Sequence, residues 1–244
     1  MKESGKTSSQ LFSYRKFYHE GFNGTFIRPR KVLPPTLLSF RDDYLVLMPL
    51  SKNEDPVWSK NLYSDFNFVT ICDKNDTRKD CDMHSPRLYN YYELPKKTFD
   101  MFNSFCETRA HEQYKVILKM DFDIFIDKQY LYKVIDYMVE NHNKRIYFGD
   151  PMGRSSDDNN IAMNGKVYGV TSNIISDYCS CTYRKPNTGL EDFWFGYAVG
   201  SCVKEKKYNV EDSLLYYHSL EHLIYHKKYQ RNNVNYRSGR ILFE

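Results

Sequence analysis

The sequence predicts a single α/β domain built on a mostly parallel central sheet flanked by helices. Two observations carry that prediction. Short apolar runs that end in polar loops alternate with longer stretches of helical spacing, the pattern of successive strand–helix units. The 244 residues are 41% hydrophobic and 16% aromatic, which suits one substantial core and not a disordered chain. No internal repeat or low-complexity tract interrupts the pattern. The domain is expected over residues 42–230, between an irregular, Pro-containing N-terminal arm (1–41) and a C-terminal tail (231–244).

Taken in order, Asp43-Tyr44-Leu45-Val46-Leu47-Met48-Pro49 reads as a buried strand closed by the loop LSKNEDP. Residues 66–72 (FNFVTIC) form a second strand signal, followed by the polar loop DKNDTRKD. Helical spacing runs from Leu94 to about Ala110, with Pro95 tolerated in the first turn. Residues 114–120 (YKVILKM) read as another buried strand, 128–142 as an amphipathic helix and 145–149 (RIYFG) as a strand. GDPMGRSSDDNN is rich in turn residues and is expected as a loop. A strand over 166–170, a short helix near 172–179 and a helix opening at LEDFWFG (190–196) complete the domain.

Charge excludes some partners. A formal net charge of +4 is spread over 35 basic and 31 acidic residues, without the concentrated basic face of a nucleic-acid binder. The one basic cluster, HKKYQRNNVNYRSGR (226–240), reads as a solvated tail. The 22 tyrosines suit a fold that packs their rings and wets their hydroxyls. Six cysteines contain no CxxC pair, so a structural zinc site is not expected. Cys72 and Cys81 flank a short polar loop, and a bridge there fits an oxidising compartment, as do the sequons Asn23-Gly24-Thr25 and Asn75-Asp76-Thr77. No apolar run reaches the length of a membrane span, and MKESGKTSSQ is not a secretory signal, so any membrane anchor would lie outside this sequence.

Chemistry concentrates in three places. In KMDFDIFID (119–127), Asp121 and Asp123 close the expected strand, and strand alternation would put both carboxylates on one face about 7 Å apart. Ligands gather at the carboxyl ends of strands in open α/β sheets, and hard carboxylate oxygens suit Mn²⁺ or Mg²⁺. The residues alone leave two readings, a solvated strand end or a divalent-cation site. In LEDFWFG, Glu191 and Asp192 stand beside bulky aromatics, where partial desolvation raises a carboxyl pKa and suits it to proton abstraction; acids at a helix start also serve the helix dipole. In YYHSLEH, His218 and His222 are four apart and would share a face of a helix; His218 is a candidate metal ligand, while a hydrogen-bonded core role stands first for His222.

In this order the segments resemble the β-1,3-glycosyltransferase superfamily, which includes galactosyltransferases, N-acetylglucosaminyltransferases and fringe. The family's YxNLTxKT has the counterpart Tyr91-Tyr92-Glu93-Leu94-Pro95-Lys96-Lys97-Thr98, followed by Cys106 on a helix. Its YVxKTDDDVFVN corresponds to YKVILKMDFDIFID, its GGGYVLS to residues 165–172, its EDVYVG to LEDFWFG, and fringe's FHSHLE to Tyr217-His218-Ser219-Leu220-Glu221. The resemblance implies a GT-A fold, a UDP-sugar donor, inversion at the anomeric carbon and a β-1,3 linkage to a glycan or glycoprotein. It implies that Asp123, Asp121 and His218 serve the metal, Mn²⁺ or Mg²⁺, with Asp121 facing the ribose or the metal's outer sphere. Lys97, Lys119, Asp121, Phe122 and Asp123 fall at its donor-binding positions, and Asp192, supported by Glu191, at its general base. It further implies the Golgi lumen and a type II membrane anchor beyond this chain. Phe122 replaces the middle acid, Glu93 replaces the Asn, and only Gly165 remains of the glycine run. A catalytically silent sugar- or partner-binding member of the same fold is the second reading. A phosphoryl-transfer enzyme or nuclease is a third, and it would need further acids and a basic groove.

Overall fold

The computed structural model describes residues 12–19, 22–29, 41–55, 57–154, 161–206, 214–219, 223–226, 228–231 and 234–237. A nine-stranded sheet forms its centre. In chain order its strands are β1 (Phe12–His19), β2 (Phe22–Pro29), β3 (Tyr44–Pro49), β4 (Phe68–Cys72), β5 (Met83–His84), β6 (Val116–Met120), β8 (Arg145–Arg154), β9 (Ile161–Thr171) and β10 (Leu214–His218). Across the sheet they lie in the order β1-β2-β10-β8-β9-β6-β3-β4-β5. Five of the eight strand pairings are parallel, and β1/β2, β6/β9 and β8/β9 are antiparallel. The expectation of a mostly parallel sheet therefore holds, with β9 reversed in its middle. Strand β7 (Ile124–Ile126) pairs separately with β11 (Ile224–His226), and β12 (Lys228–Arg231) with β13 (Val234–Arg237).

Helices cover both faces because the strands are apolar on both. On β3, Tyr44, Val46 and Met48 join one core cluster while Leu45 and Leu47 join the other; on β6, Val116, Leu118 and Met120 oppose Ile117. This is the two-residue alternation of a strand buried on both sides. The first cluster receives α3 (Lys128–Glu140), whose N-cap Asp127 accepts the Tyr130 N–H at 2.9 Å. The second receives α2 (Leu94–Glu107), α4 (Ser172–Ser180) and α5 (Glu191–Glu205). A short helix, α1 (Val57–Leu62), lies between β3 and β4. Helix α5 approaches β9 closely: a Cβ on Gly196 would lie 2.7 Å from the Ile161 carbonyl. Three disulfides cross-link the fold. Cys72–Cys81 is the bridge anticipated from sequence; Cys106–Cys179 ties α2 to α4 and Cys181–Cys202 ties the end of α4 to α5.

Several expectations need correction. The arm is not irregular throughout: β1 and β2 pair from Phe12↔Pro29 to His19↔Phe22, and β2 joins the sheet through β10. The strand signal in the arm is confined to the alternation Phe12-Ser13-Tyr14-Arg15. Part of the basic C-terminal segment forms the β12/β13 hairpin. Strand β8 continues through Asp150-Pro151-Met152-Gly153-Arg154 by way of register shifts against β9, so the Gly/Pro-rich stretch opens as a bulged strand and not as a loop. His218 ends a strand, not a helix; His222 lies outside the described residues.

Candidate active site

The parallel strands β5-β4-β3-β6 run in the order that places a topological switch between β3 and β6, since the chain leaves β3 toward β4 on one side and reaches β6 on the other. Ligands of open α/β sheets bind at the carboxyl ends flanking such a switch. A cavity of about 510 Å³ lies there. Its walls include Pro49 from the end of β3, Asp73 just after β4, Asp121-Phe122-Asp123 just after β6, and Lys97 and Thr98 from α2. Glu191 at the start of α5 and Gly165 of β9 close the far side.

The last rung of β6 is the Asp121 N–H donating to the Lys166 carbonyl at 2.9 Å. The chain then turns, so Asp121 and Asp123 do not share one face of a continuous strand as alternation alone predicted. Asp121 stands in the cavity wall half-exposed, whereas Asp123 is 1% exposed. Phe122 between them is buried in the first core cluster while also lining the cavity. An apolar ring at this position anchors the turn to the core.

Lys119 organises the site. Alternation on β6 sends it to the α5 side, where its ammonium donates to Asp121 Oδ1 at 2.6 Å, Glu191 Oε1 at 2.7 Å and the Gly165 carbonyl at 2.9 Å. All three ammonium donors are thus used. Burial alone would depress its pKa, but the two carboxylates outweigh burial and hold it above the ordinary lysine value. Glu191 is likewise fully engaged, its other oxygen accepting from Tyr168 at 3.0 Å and Thr98 at 3.3 Å. Burial raises the Glu191 pKa, and Lys119 opposes that rise. Gly165 is required by this arrangement: a Cβ there would fall 2.9 Å from Glu191 Oε1 and 3.5 Å from the Lys119 ammonium.

Across the cavity Lys97 is equally buried, donating to Asp73 Oδ1 at 2.7 Å and the Leu50 carbonyl at 2.5 Å. With one carboxylate instead of two, burial prevails and its pKa is lowered. Asp192 lies beside Gly165, whose N–H donates to Asp192 Oδ2 at 3.3 Å, while the Phe193 N–H donates to Oδ1 at 2.9 Å. Burial raises the Asp192 pKa against these donors and Lys119. A carboxylate held ionised but weakly solvated is a competent proton acceptor.

Lys97, Lys119, Asp121, Phe122, Asp123 and Glu191 therefore meet in one cavity, with Asp192 adjoining it. His218 does not line that cavity. It sits in one row with Gly149, Tyr168 and Lys119, three strand spacings from Lys119, or about 14 Å along the sheet. The chain beyond it returns to the turn: Leu223 accepts from the Asp127 N–H, and Ile224 pairs with Ile126 just after Asp123. Sequence reading missed Asp73, Thr98 as a partner of Glu191, and Tyr168. Asp73 carried a usable signal, an acid directly after a predicted strand; the two hydroxyls carried none, because only the fold brings them to Glu191.

Among the described residues, no helix is long and apolar enough to cross a membrane. No protein-family model matches the chain, and no curated protein does. Among solved structures it has a distant likeness to A197 from STIV, with a TM-score of 0.38 and 10% identity over 63% of this chain and 75% of that one. A second likeness is to a glycosyltransferase involved in the glycosylation of the major capsid of PBCV-1, with a TM-score of 0.37 and 15% identity over 72% of this chain and 81% of that one. Likenesses at this level do not bear on the chemistry of the cavity.

Proposed function

We propose that the chain is a metal-dependent inverting glycosyltransferase that takes a UDP-sugar at the switch-point cavity and transfers the sugar to a hydroxyl of a glycan or glycoprotein, forming a β-1,3 linkage. One observation carries this reading. The cavity occupies the nucleotide-binding position of an α/β sheet, yet its lining sets five carboxylates against two ammonium groups. Both ammonium groups are already paired with acids of the lining. A diphosphate entering so acidic a space needs a cation of its own, and oxygen donors suit Mn²⁺ or Mg²⁺. Asp121 and Asp123 would hold that ion, which neutralises charge on the departing diphosphate. His218, the last residue of β10, is the proposed late ligand.

The protein's own groups divide the remaining work. Lys119 fixes Asp121 and Glu191 in place and supplies a permanent positive charge. Asp192 accepts the proton of the acceptor hydroxyl as its oxygen bonds to the anomeric carbon; the bond from that carbon to the phosphate oxygen breaks, and its electron pair leaves with UDP. Attack from the face opposite the leaving group inverts the anomeric configuration. The three disulfides support action in an oxidising compartment. For such an enzyme we propose the Golgi lumen.

The test is a panel of UDP-sugars incubated with the protein and Mn²⁺, read by UDP release and by NMR of the product anomer. Release of UDP with an inverted anomer, lost in Asp192→Asn, is expected. A retained anomer would refute inversion, and absence of release from every donor with and without acceptor glycans would refute the transferase reading.

A further inference from the structure

A second cavity, of about 550 Å³, lies on the other side of Gly189 and Leu190, which line both. Its character is opposite to that of the first. Pro95, Phe193, Trp194 and Tyr197 supply apolar and aromatic walls, Arg184 and Lys185 supply positive charge, and the lining contains no carboxylate. The aromatic floor is rigidly held: the Trp194 indole N–H donates to the Arg184 carbonyl at 3.1 Å, and its ring meets Phe99 and Tyr183 edge-on. The cations are exposed but oriented, Arg184 lying 5.3 Å from the centre of the Tyr197 ring and Lys185 5.8 Å from that of Phe99.

The two cavities meet at the start of α5. Leu190 lines both, Glu191 lines the first and Phe193 the second, and Asp192 stands between them in the chain. Asp192 itself lines neither cavity, but its Oδ2 accepts the N–H of Gly165 in the wall of the first, and its chain neighbour Phe193 walls the second. Aromatic faces bury the apolar faces of sugar rings, and a carboxylate, sulfate or phosphate on the ring would meet Arg184 and Lys185.

We propose that the second cavity is the acceptor subsite and that the acceptor is an anionic saccharide. The assignment of an acceptor role rests on the transferase reading; the selectivity for anionic saccharides rests on the cavity alone. Calorimetry of the whole chain with a sulfated disaccharide, a glucuronic-acid-terminated disaccharide and their neutral counterparts tests it, with UDP plus Mn²⁺ titrated in parallel. The expected result is preference for both charged disaccharides, reduced about tenfold in Arg184→Ala/Lys185→Ala, with UDP affinity unchanged. Tyr197→Ala is expected to weaken charged and neutral disaccharides alike. Equal binding of charged and neutral sugars, or charged binding that survives the double substitution, would overturn the anionic assignment. Selective saccharide binding in a protein that never binds UDP would instead overturn the transferase reading and leave the saccharide site standing.

Discussion

The two cavities flanking Leu190 differ in how they are built as much as in their charge. The acidic one is assembled from the ends of β3, β4 and β6 together with α2, α5 and β9, so its acids come from distant parts of the chain. The cationic one comes almost entirely from one continuous segment, 184–197, with Pro95 alone added from α2. A site made of strand ends is held by the sheet and suits a fixed reactive group. A site made of one loop and one helix face can change its ligand by local substitution without disturbing the reaction centre. In this account the chemistry lies in the first cavity and the choice of acceptor in the second.

Substitutions separate the two. The largest effect is expected at their junction: Asp192→Asn should lower the transfer rate by about 10²–10⁴-fold while UDP affinity is kept. Because burial raises the Asp192 pKa, activity in the parent protein should fall with decreasing pH through a value above the ordinary carboxylate range of about 3.9, a limb read from the pH profile of kcat/KM. A limb at or below that value would remove Asp192 from the role.

Within the acidic cavity, Lys119→Met leaves Glu191 buried without its ammonium and should cost about 3–5 kcal/mol in chemical denaturation, with Lys97→Met at the lower end of that range. Alkaline pH should distinguish the two. The raised pKa of Lys119 contributes stability that is full below the unfolded value of about 10.4 and lost as pH rises through the folded value, so the gap to Lys119→Met narrows only there. Lys97 has a lowered folded pKa, so its contribution instead improves as pH rises through the window ending at about 10.4, and the gap to Lys97→Met widens. Gly165→Ala should cost about 1–3 kcal/mol, because the added methyl meets the Glu191 carboxylate, and should weaken UDP binding without altering saccharide binding in the second cavity. Leu190→Ala, at an exposed position, should change stability by no more than about 0.5 kcal/mol, yet raise hydrolysis of the donor relative to transfer, measured as free sugar against glycosylated acceptor.

Much of the acidic cavity was legible in the sequence because strand ends are. Apolar runs such as YKVILKM and YLVLMP announce where a sheet stops, and the acids just beyond them fall at its carboxyl edge. The same reasoning overshot at Asp123, since a turn after Met120 breaks the alternation that a strand would impose. It also undershoots at β1 and β2, where only Phe12-Ser13-Tyr14-Arg15 alternates and β2 carries no period-two pattern. The pairings Cys106–Cys179 and Cys181–Cys202 were not legible, because six cysteines admit many pairings and only packing selects among them. Lys119 was readable as a residue near the acids. Its bond to Glu191, 72 positions away, was not.

On the proposed function, the acidic cavity binds a nucleoside diphosphate only with a divalent cation. Calorimetric titration of UDP with and without Mn²⁺, in the parent protein and in Asp123→Ala, addresses it directly. Binding that requires Mn²⁺ and vanishes in the variant is the predicted result. Binding of UDP that is equally tight without Mn²⁺, or none in either condition, would contradict the account.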